Sequence, residues 1–408
     1  MASRWPYAGS VYQWSRHVRG TTWGWAAMWA YMWGLTLALG TLSYAASGFL
    51  LQIFGVAEPG RWQIATVAIC IIAVGTLINM VGRRGLKIVV ATSITCEVVG
   101  SLGLGTVLLL FYRENPFSVL FTSAGIPGAD AWVSGPMLLA VAYVGWSFLG
   151  FEAAGSVAEE VDEPERNVPK AIILALFLVG LVVMFSSAAL ILSIPDLPGV
   201  VAAQSGDVVS DTLTTHLGAG VTKPLLAMFV IGFVSSFLAV QAAVSRCIWG
   251  AARDRSLPGS KILGGLAGLE RLPVYAIALT AIMAVVFVLM AGTKFYNVLV
   301  NFNIIGFYIA FGVPVIGAAI ARLTGKWRPG PFNLGRWGAP VTYLASLWII
   351  FETINVAWPR TQPEQPWYIN WASVLTTAGL AVVGLIIYLT VRHRIEEPIA
   401  HRLGADAS

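Results

Sequence analysis

Charge is what this 408-residue chain has least of: 11% of its residues are Asp, Glu, Lys or Arg, where soluble globular proteins carry about a quarter. With 57% hydrophobic residues and a mean hydropathy of +0.76, that scarcity excludes water as the main solvent of the folded chain. Like charges never run to five in succession, so a pI near 9.1 does not point to nucleic acid. Cysteine is scarce too. Cys70, Cys96 and Cys247 lie in apolar stretches without CxxC spacing or a neighbouring His, which argues against a disulfide framework or a zinc site and reads them as small core residues. His17, His216, His393 and His401 fall in loops or tails, and no HExxH, GxSxG or Walker A pattern occurs, so neither an enzyme nor a cofactor is indicated. The opening MASRWPYAGS has no apolar h-region and does not read as a signal peptide.

What the chain has instead is apolar length, with 16 Trp and 42 Gly. Trp prefers the membrane interface, and Gly is commoner in membrane helices than in soluble ones. The apolar segments are far longer than barrel strands, and in lipid only helices and closed barrels satisfy their own backbone. The expectation is an all-α integral membrane protein of about ten helices. They are placed near Trp23–Phe54, Trp62–Val81, Ile88–Tyr112, Met137–Val157, Ala171–Ile194, Pro224–Gly250, Val274–Ala291, Asn297–Leu323, Trp337–Ala357 and Ile369–Val391. One transmembrane domain then covers residues 23–391, between an N-terminal segment 1–22 and a tail 392–408.

Basic residues orient these spans. Only Arg61, Arg113, Lys223, Lys294 and Arg360 fall on one set of alternate loops, and the other 20 of the 25 Lys and Arg fall on the opposite set and the termini. The bias predicts a multi-pass protein of the cell membrane with both termini cytoplasmic. Between spans, 113–136 reads as irregular chain, Asp207–His216 as a short surface helix, and Gly325–Gly338 as a Pro- and Gly-rich inner loop.

The stretch with most chemistry is Tyr143–Lys170, YVGWSFLGFEAAGSVAEEVDEPERNVPK. Its first half is apolar enough to span, yet it carries Glu152 among Gly145, Gly150 and Gly155. An ionised carboxylate at mid-membrane costs about 2.5 kcal/mol or more, so Glu152 should face a cavity, find a partner or be protonated. Glycines beside it permit unwinding that exposes backbone groups to a ligand; a kinked packing helix explains the same residues. The second half, with Glu159, Glu160, Arg166 and Lys170 between Pro164 and Pro169, is either a gate of ion pairs or a solvated loop.

The pattern F-x-G-F-E-x-x-x-x-x-A-E-E-x-x-x-P-x-R-x-x-P-K-A-I from Phe148 to Ile172 resembles the sixth-helix signature of the amino acid/polyamine/organocation permease superfamily. SRCIWGAARDRSLP, Ser245 to Pro258, resembles the end of that superfamily's eighth helix. PGPFNLGRWGAPV, Pro329 to Val341, is similar to the bacterial and fungal amino acid, GABA and choline permease branch. SRWPYAGSVYQWSRHVRGTTWGW, Ser3 to Trp25, resembles the segment joining family helices two and three, so the ten spans would correspond to helices three to twelve of a five-plus-five inverted repeat.

The resemblance implies secondary transport of an amino acid or related amine by alternating access, coupled to protons or running as exchange. The rival expectation, prompted by the absent helix pair, is a transport-incompetent fragment acting as a binding or scaffold subunit. By resemblance, Gly150 and Phe151 belong to the unwound substrate segment with Trp146 and Phe148 beside them, and Glu152 anchors the turn. Glu97 on the fifth-helix equivalent, with Ser235 and Ser236 on the eighth, are coupling candidates, because a carboxyl in apolar surroundings can take up and release a proton. Glu159, Glu160, Arg166, Lys170, Arg246, Arg253 and Asp254 are the candidate cytoplasmic gate; Lys170 stands where the family usually has Arg and would pair less tightly. Asn301, Asn303, Tyr308 and Glu352 are further polar positions for which packing is the favoured role. The expected partners are the small substrate, a coupling proton and the lipid bilayer, with no nucleic acid.

Overall fold

The structure is a computed structural model that describes residues 1–56, 58–122, 136–202, 207–268, 271–291, 294–359 and 366–396. A short helix α1 (Val11–Arg19) leads into the 33-residue α2 (Thr21–Ile53), which is followed by α3 (Arg61–Val81). The next crossing combines α4 (Arg83–Glu97), a π-helical segment Val98–Gly103 and α5 (Leu104–Phe111). A broken crossing holds α6 (Pro136–Val144), a 3-10 turn Gly145–Phe148 and α7 (Ala153–Ser156). Beyond it lie α8 (Pro164–Leu192), the short α9 (Leu197–Val201), the 46-residue α10 (Val208–Arg253) and the short α11 (Ser260–Leu263). The chain continues through α12 (Val274–Leu289), α13 (Lys294–Leu323), α14 (Gly338–Ala357), the short α15 (Trp367–Asn370) and α16 (Ala372–Val391).

Among the described residues, eight helical stretches are long and apolar enough to cross a membrane. The other two expected crossings take different forms. Helix α12 has 16 residues, about 24 Å at 1.5 Å per residue, short of a bilayer's hydrocarbon core. Met137–Val157, expected as one span, is interrupted at Gly145–Glu152. Asp207–His216, expected as a separate surface helix, is the first part of α10: Asp207 caps it by accepting from the Ser210 N–H at 3.2 Å, and Gly218 at φ 71° bends the helix before its apolar part.

Burial divides these helices into two kinds. In the most apolar windows of α2 and α13, 61% of residues are buried inside the protein, whereas in α8 none is. An apolar helix that exposes Leu174, Phe177, Leu181 and Met184 is stable only where lipid replaces water. Helix α2 is the central post, packed against α1, α3, α10, α12 and α13. Close packing here relies on small residues facing rings: a Cβ at Gly75 would lie 2.6 Å from the Phe237 ring, the small-against-large fit that draws membrane helices together. Cys247 is buried as expected, but Cys70 is exposed on α3, on a lipid-facing side rather than in the core.

Contacts between distant segments sort the loops onto two ends of the bundle. At one end Arg16 pairs with Asp254 and donates to the Glu396 carbonyl, and Arg4 donates to the Arg328 carbonyl. At the other, Arg61 donates to the Leu289 carbonyl at 3.0 Å and Gln52 to Asp207 at 3.1 Å. The first end is the basic one, as the alternate-loop charge pattern requires.

Candidate functional site

The broken crossing centres on two residues. Leu149 is extended (φ −64°, ψ 131°) and Gly150 adopts φ +94°, with open space where a Cβ would stand. An L side chain disfavours that conformation, so the sequence G-F-E after S-F-L dictates where the helix stops. The ladder is replaced by short bonds, Leu149 N–H to the Trp146 carbonyl at 3.2 Å and Ala153 N–H to the Gly150 carbonyl at 2.9 Å. Gly155 then brings α7 against α1, where a Cβ would meet the Trp14 ring at 2.7 Å.

Glu152 is fully buried, and its Oε1 accepts from the Tyr31 hydroxyl of α2 at 2.6 Å, while Oε2 is buried without a hydrogen-bond partner. The bond fastens the broken segment to the central post. Tyr31 also borders an aromatic group: its ring centroid lies 6.3 Å from that of Phe307 and 6.3 Å from that of Phe311, and Phe151 lies 4.9 Å from Phe311.

Two cavities flank the break. The first, of about 380 Å³, is bordered by Leu42 of α2, Cys96 and Glu97 of α4, Gly100 and Ser101 of the π-helical segment, Trp146, and Phe229, Phe233 and Ser236 of α10. It brings Glu97, Trp146 and Ser236 together. Ser235, one helical step away, turns into the protein core at 5% exposure. Glu97 is not enclosed: it stands exposed on the cavity wall facing Gly232, whose Cβ position is 3.8 Å from Oε1. Immediately after Glu97 the helix widens into the π segment, and Gly100 and Ser101 of that segment border the cavity. Such bulges redirect side chains and backbone groups and recur at ligand sites.

The second cavity, of about 250 Å³, is almost wholly apolar and lies between the break and α13, bordered by Phe148, Phe151, Phe307, Tyr308, Phe311 and Trp348. Trp146 borders both cavities. Tyr308 thus has a place at a cavity, and Glu352 on α14 is buried beside Asn355, whose amide donates to it at 3.2 Å and to the Leu138 carbonyl at 2.8 Å. Asn303 is buried on α13, and the side chain of Asn301 lies outside the described residues.

Five of the seven gate candidates form one layer at the basic end. Arg246 Nε donates to Glu160 at 2.9 Å, and Arg253 lies 3.6 Å from Glu159, which also accepts the Ala8 N–H at 2.9 Å. Asp254 pairs with Arg16, both side chains fully buried, and accepts from the Tyr12 hydroxyl at 3.1 Å and the Gln13 amide at 3.3 Å. Burial and the Asp254 charge push the Tyr12 hydroxyl well above its ordinary pKa, so it stays a donor. Arg166 and Lys170 are not part of this layer: both are exposed on the first turns of α8, and neither pairs with a described acid.

Sequence reasoning missed Arg16, Tyr12 and Tyr31, because one polar residue in an apolar or basic stretch carries no mark of its partner. It also missed Cys96 and the α13 phenylalanines Phe307 and Phe311. Among the described residues no group of three His, Cys, Asp or Glu is arranged to hold a metal ion.

A sequence profile of the family described as amino acid permease matches residues 1–380. A Macrophomina phaseolina protein named for amino acid/polyamine transport is 24% identical over 91% of this chain and 85% of its own length. Amino-acid permease BAT1 of Arabidopsis thaliana is 22% identical over 99% of this chain and 83% of its own length, and amino-acid permease 2 of Neurospora crassa 22% over 92% and 71%.

Proposed function

The chain belongs to the amino acid permease family, and from that premise we propose that it carries a small amino acid or related amine across the cell membrane by alternating access, with both termini cytoplasmic. Relatives named as permeases make it a transporter rather than an enzyme. The observation that carries the finer reading is the cavity of about 380 Å³ in which Glu97, Trp146 and Ser236 meet beside the helix break. A zwitterion suits such a place. The broken backbone offers carbonyl groups for an ammonium and N–H groups for a carboxylate, and Trp146 offers a face for the side chain.

Glu97 is also the group best placed to couple transport to protons. A carboxyl on the wall of a cavity reached by water and bordered by lipid-embedded helices changes charge with the phase of the cycle. Ser236 supplies a hydroxyl to the same space. The residues of the aromatic cavity, Phe151 and Phe148 among them, form the surface against which a GABA-like or choline-like amine would lie. Glu152 anchors the break through Tyr31, and the layer of Glu159, Glu160, Arg246, Arg253 and Asp254 closes the basic end until those ion pairs separate.

The test is uptake of labelled amino acids, GABA and choline into proteoliposomes, with and without an imposed pH gradient. Accumulation driven by the gradient, abolished in Glu97→Gln while counterflow exchange survives, is the expected result. Neither uptake nor exchange of any amino acid or amine by a folded preparation would overturn the transport reading. Gradient-driven uptake surviving in Glu97→Gln would overturn the coupling role alone.

A further inference from the structure

A third cavity, of about 340 Å³, lies at the basic end between the starts of α8 and α14 and the end of α13. Its apolar wall includes Ile172, Ile173, Val341 and Ala345, and its rim includes Arg322 and Trp327. Ile173 and Val341 are 51% and 46% exposed on the bundle surface, so the slot opens sideways toward lipid.

On the α13 and α14 side of this slot the charge is of one sign, while the first turn of α8 carries Glu165. No Asp or Glu occurs between Glu270 and Glu352, while the same stretch supplies Arg322, Lys326, Arg328 and Arg336. The N-terminal segment adds Arg4, held against the loop through the Arg328 carbonyl and through the Phe332 N–H, which donates to Ser3 at 2.8 Å. None of these cations pairs with a described carboxylate. Three of the arginines lie over indole rings instead: Arg4 over Trp5 at 4.8 Å, Arg322 over Trp327 at 4.7 Å and Arg336 over Trp337 at 5.8 Å. A ring holds a guanidinium by its face and leaves the in-plane N–H donors available.

Two further details mark the cationic end of the slot. Nε of Arg322 is buried without a hydrogen-bond partner, and its Nη2 rests against Gly338, where a Cβ would stand 3.0 Å away. Burial and the neighbouring charge of Arg328 lower the pKa of Arg4, as expected where cations are gathered without counter-charge.

From this juxtaposition we infer that the slot between α8, α13 and α14 is a binding site for an anionic phospholipid, with the phosphate headgroup at Arg322 and its acyl chain along Ile173 and Val341. Charge complementarity selects an anionic head, and the sideways apolar opening selects a lipid over a free anion.

Native mass spectrometry of the full chain, released from micelles containing equal phosphatidylglycerol and phosphatidylcholine of matched acyl chains, tests this. The expected result is preferential retention of phosphatidylglycerol, reduced by about fivefold for each charge removed in Arg322→Gln and Arg322→Gln/Arg328→Gln. Lys261→Gln, at the same end but outside the slot, should leave retention unchanged. Should the arginine variants fail to fold, Ala345→Phe, which fills the apolar half and keeps every charge, should lower retention of the lipid. Equal retention of the two lipids by the unsubstituted protein, or unchanged retention in folded slot variants, overturns the proposal. Displacement of the bound lipid by millimolar glycerol phosphate or inorganic phosphate overturns the lipid assignment in favour of a free anion.

Discussion

The buried pair of Arg16 and Asp254 offers the sharpest test of how the basic end is held. Asp254→Asn keeps size and shape but removes the charge that pairs with Arg16, whose side chain is fully buried. Removing one partner of a buried pair costs about 3 to 5 kcal/mol, because the remaining charge is left unpaired in a place water does not reach. The Tyr12 hydroxyl and Gln13 amide lose charge-assisted bonds to Asp254 at the same time, which places the cost toward the upper end. For a chain of this size such a loss lowers the melting temperature by roughly 4 to 6 °C, readable by fluorescence-detected gel filtration after heating. Replacing both partners with apolar residues, Arg16→Met with Asp254→Leu, should restore most of the loss, since no charge is then stranded. A melting point for Asp254→Asn within about a degree of the unsubstituted protein, or a double variant as unstable as the sum of its singles, would refute the reasoning.

Other consequences are simpler to read. Gly150→Ala places a Cβ at φ +94° and should cost about 1 to 2 kcal/mol in backbone strain; uptake should fall severalfold while surface expression holds. Ser236→Ala should raise the KM for substrate, whereas Ser235→Ala, in the core, should leave it unchanged; equal KM effects would contradict the division between cavity and core. Cys96 borders the larger cavity and Cys70 the lipid-facing side of α3, so a small, water-soluble methanethiosulfonate should modify Cys96 faster, and substrate should slow that reaction. Labelling of Cys70 alone, or no protection by any transported amine, would count against the cavity as the binding place.

Most of the bundle is legible in the sequence because lipid imposes a strong rule: apolar length becomes helix, and basic residues collect at one end. Thr21–Ile53 and Arg61–Val81 lie within two residues of their expected bounds for that reason. The break at Gly150 was legible in part: a carboxylate and three glycines in an apolar span allowed either unwinding or a kinked packing helix, and only the family resemblance put the unwound turn at Gly150. Partnership was not. Glu152 and Tyr31 are 121 residues apart, and Arg16 finds Asp254 over 238; composition and spacing contain no record of such distances. Arg166 and Lys170 show the converse, for proximity in sequence to Glu159 and Glu160 suggested a pairing that α8 prevents by turning both outward. The π segment after Glu97 escaped notice because V-V-G-S-L-G suits an ordinary membrane helix equally well.

Trp146 borders the polar-sided cavity on one flank and the aromatic one on the other. With Leu149, which also borders both, this indole is a party wall between two rooms, and neither can be enlarged by moving it without diminishing the other. A ligand that swings the ring outward makes its own space at the expense of the neighbouring chamber. Occupancy of the two is thereby mutually exclusive above a certain size, and a change of residue at this one position alters the allowance of both.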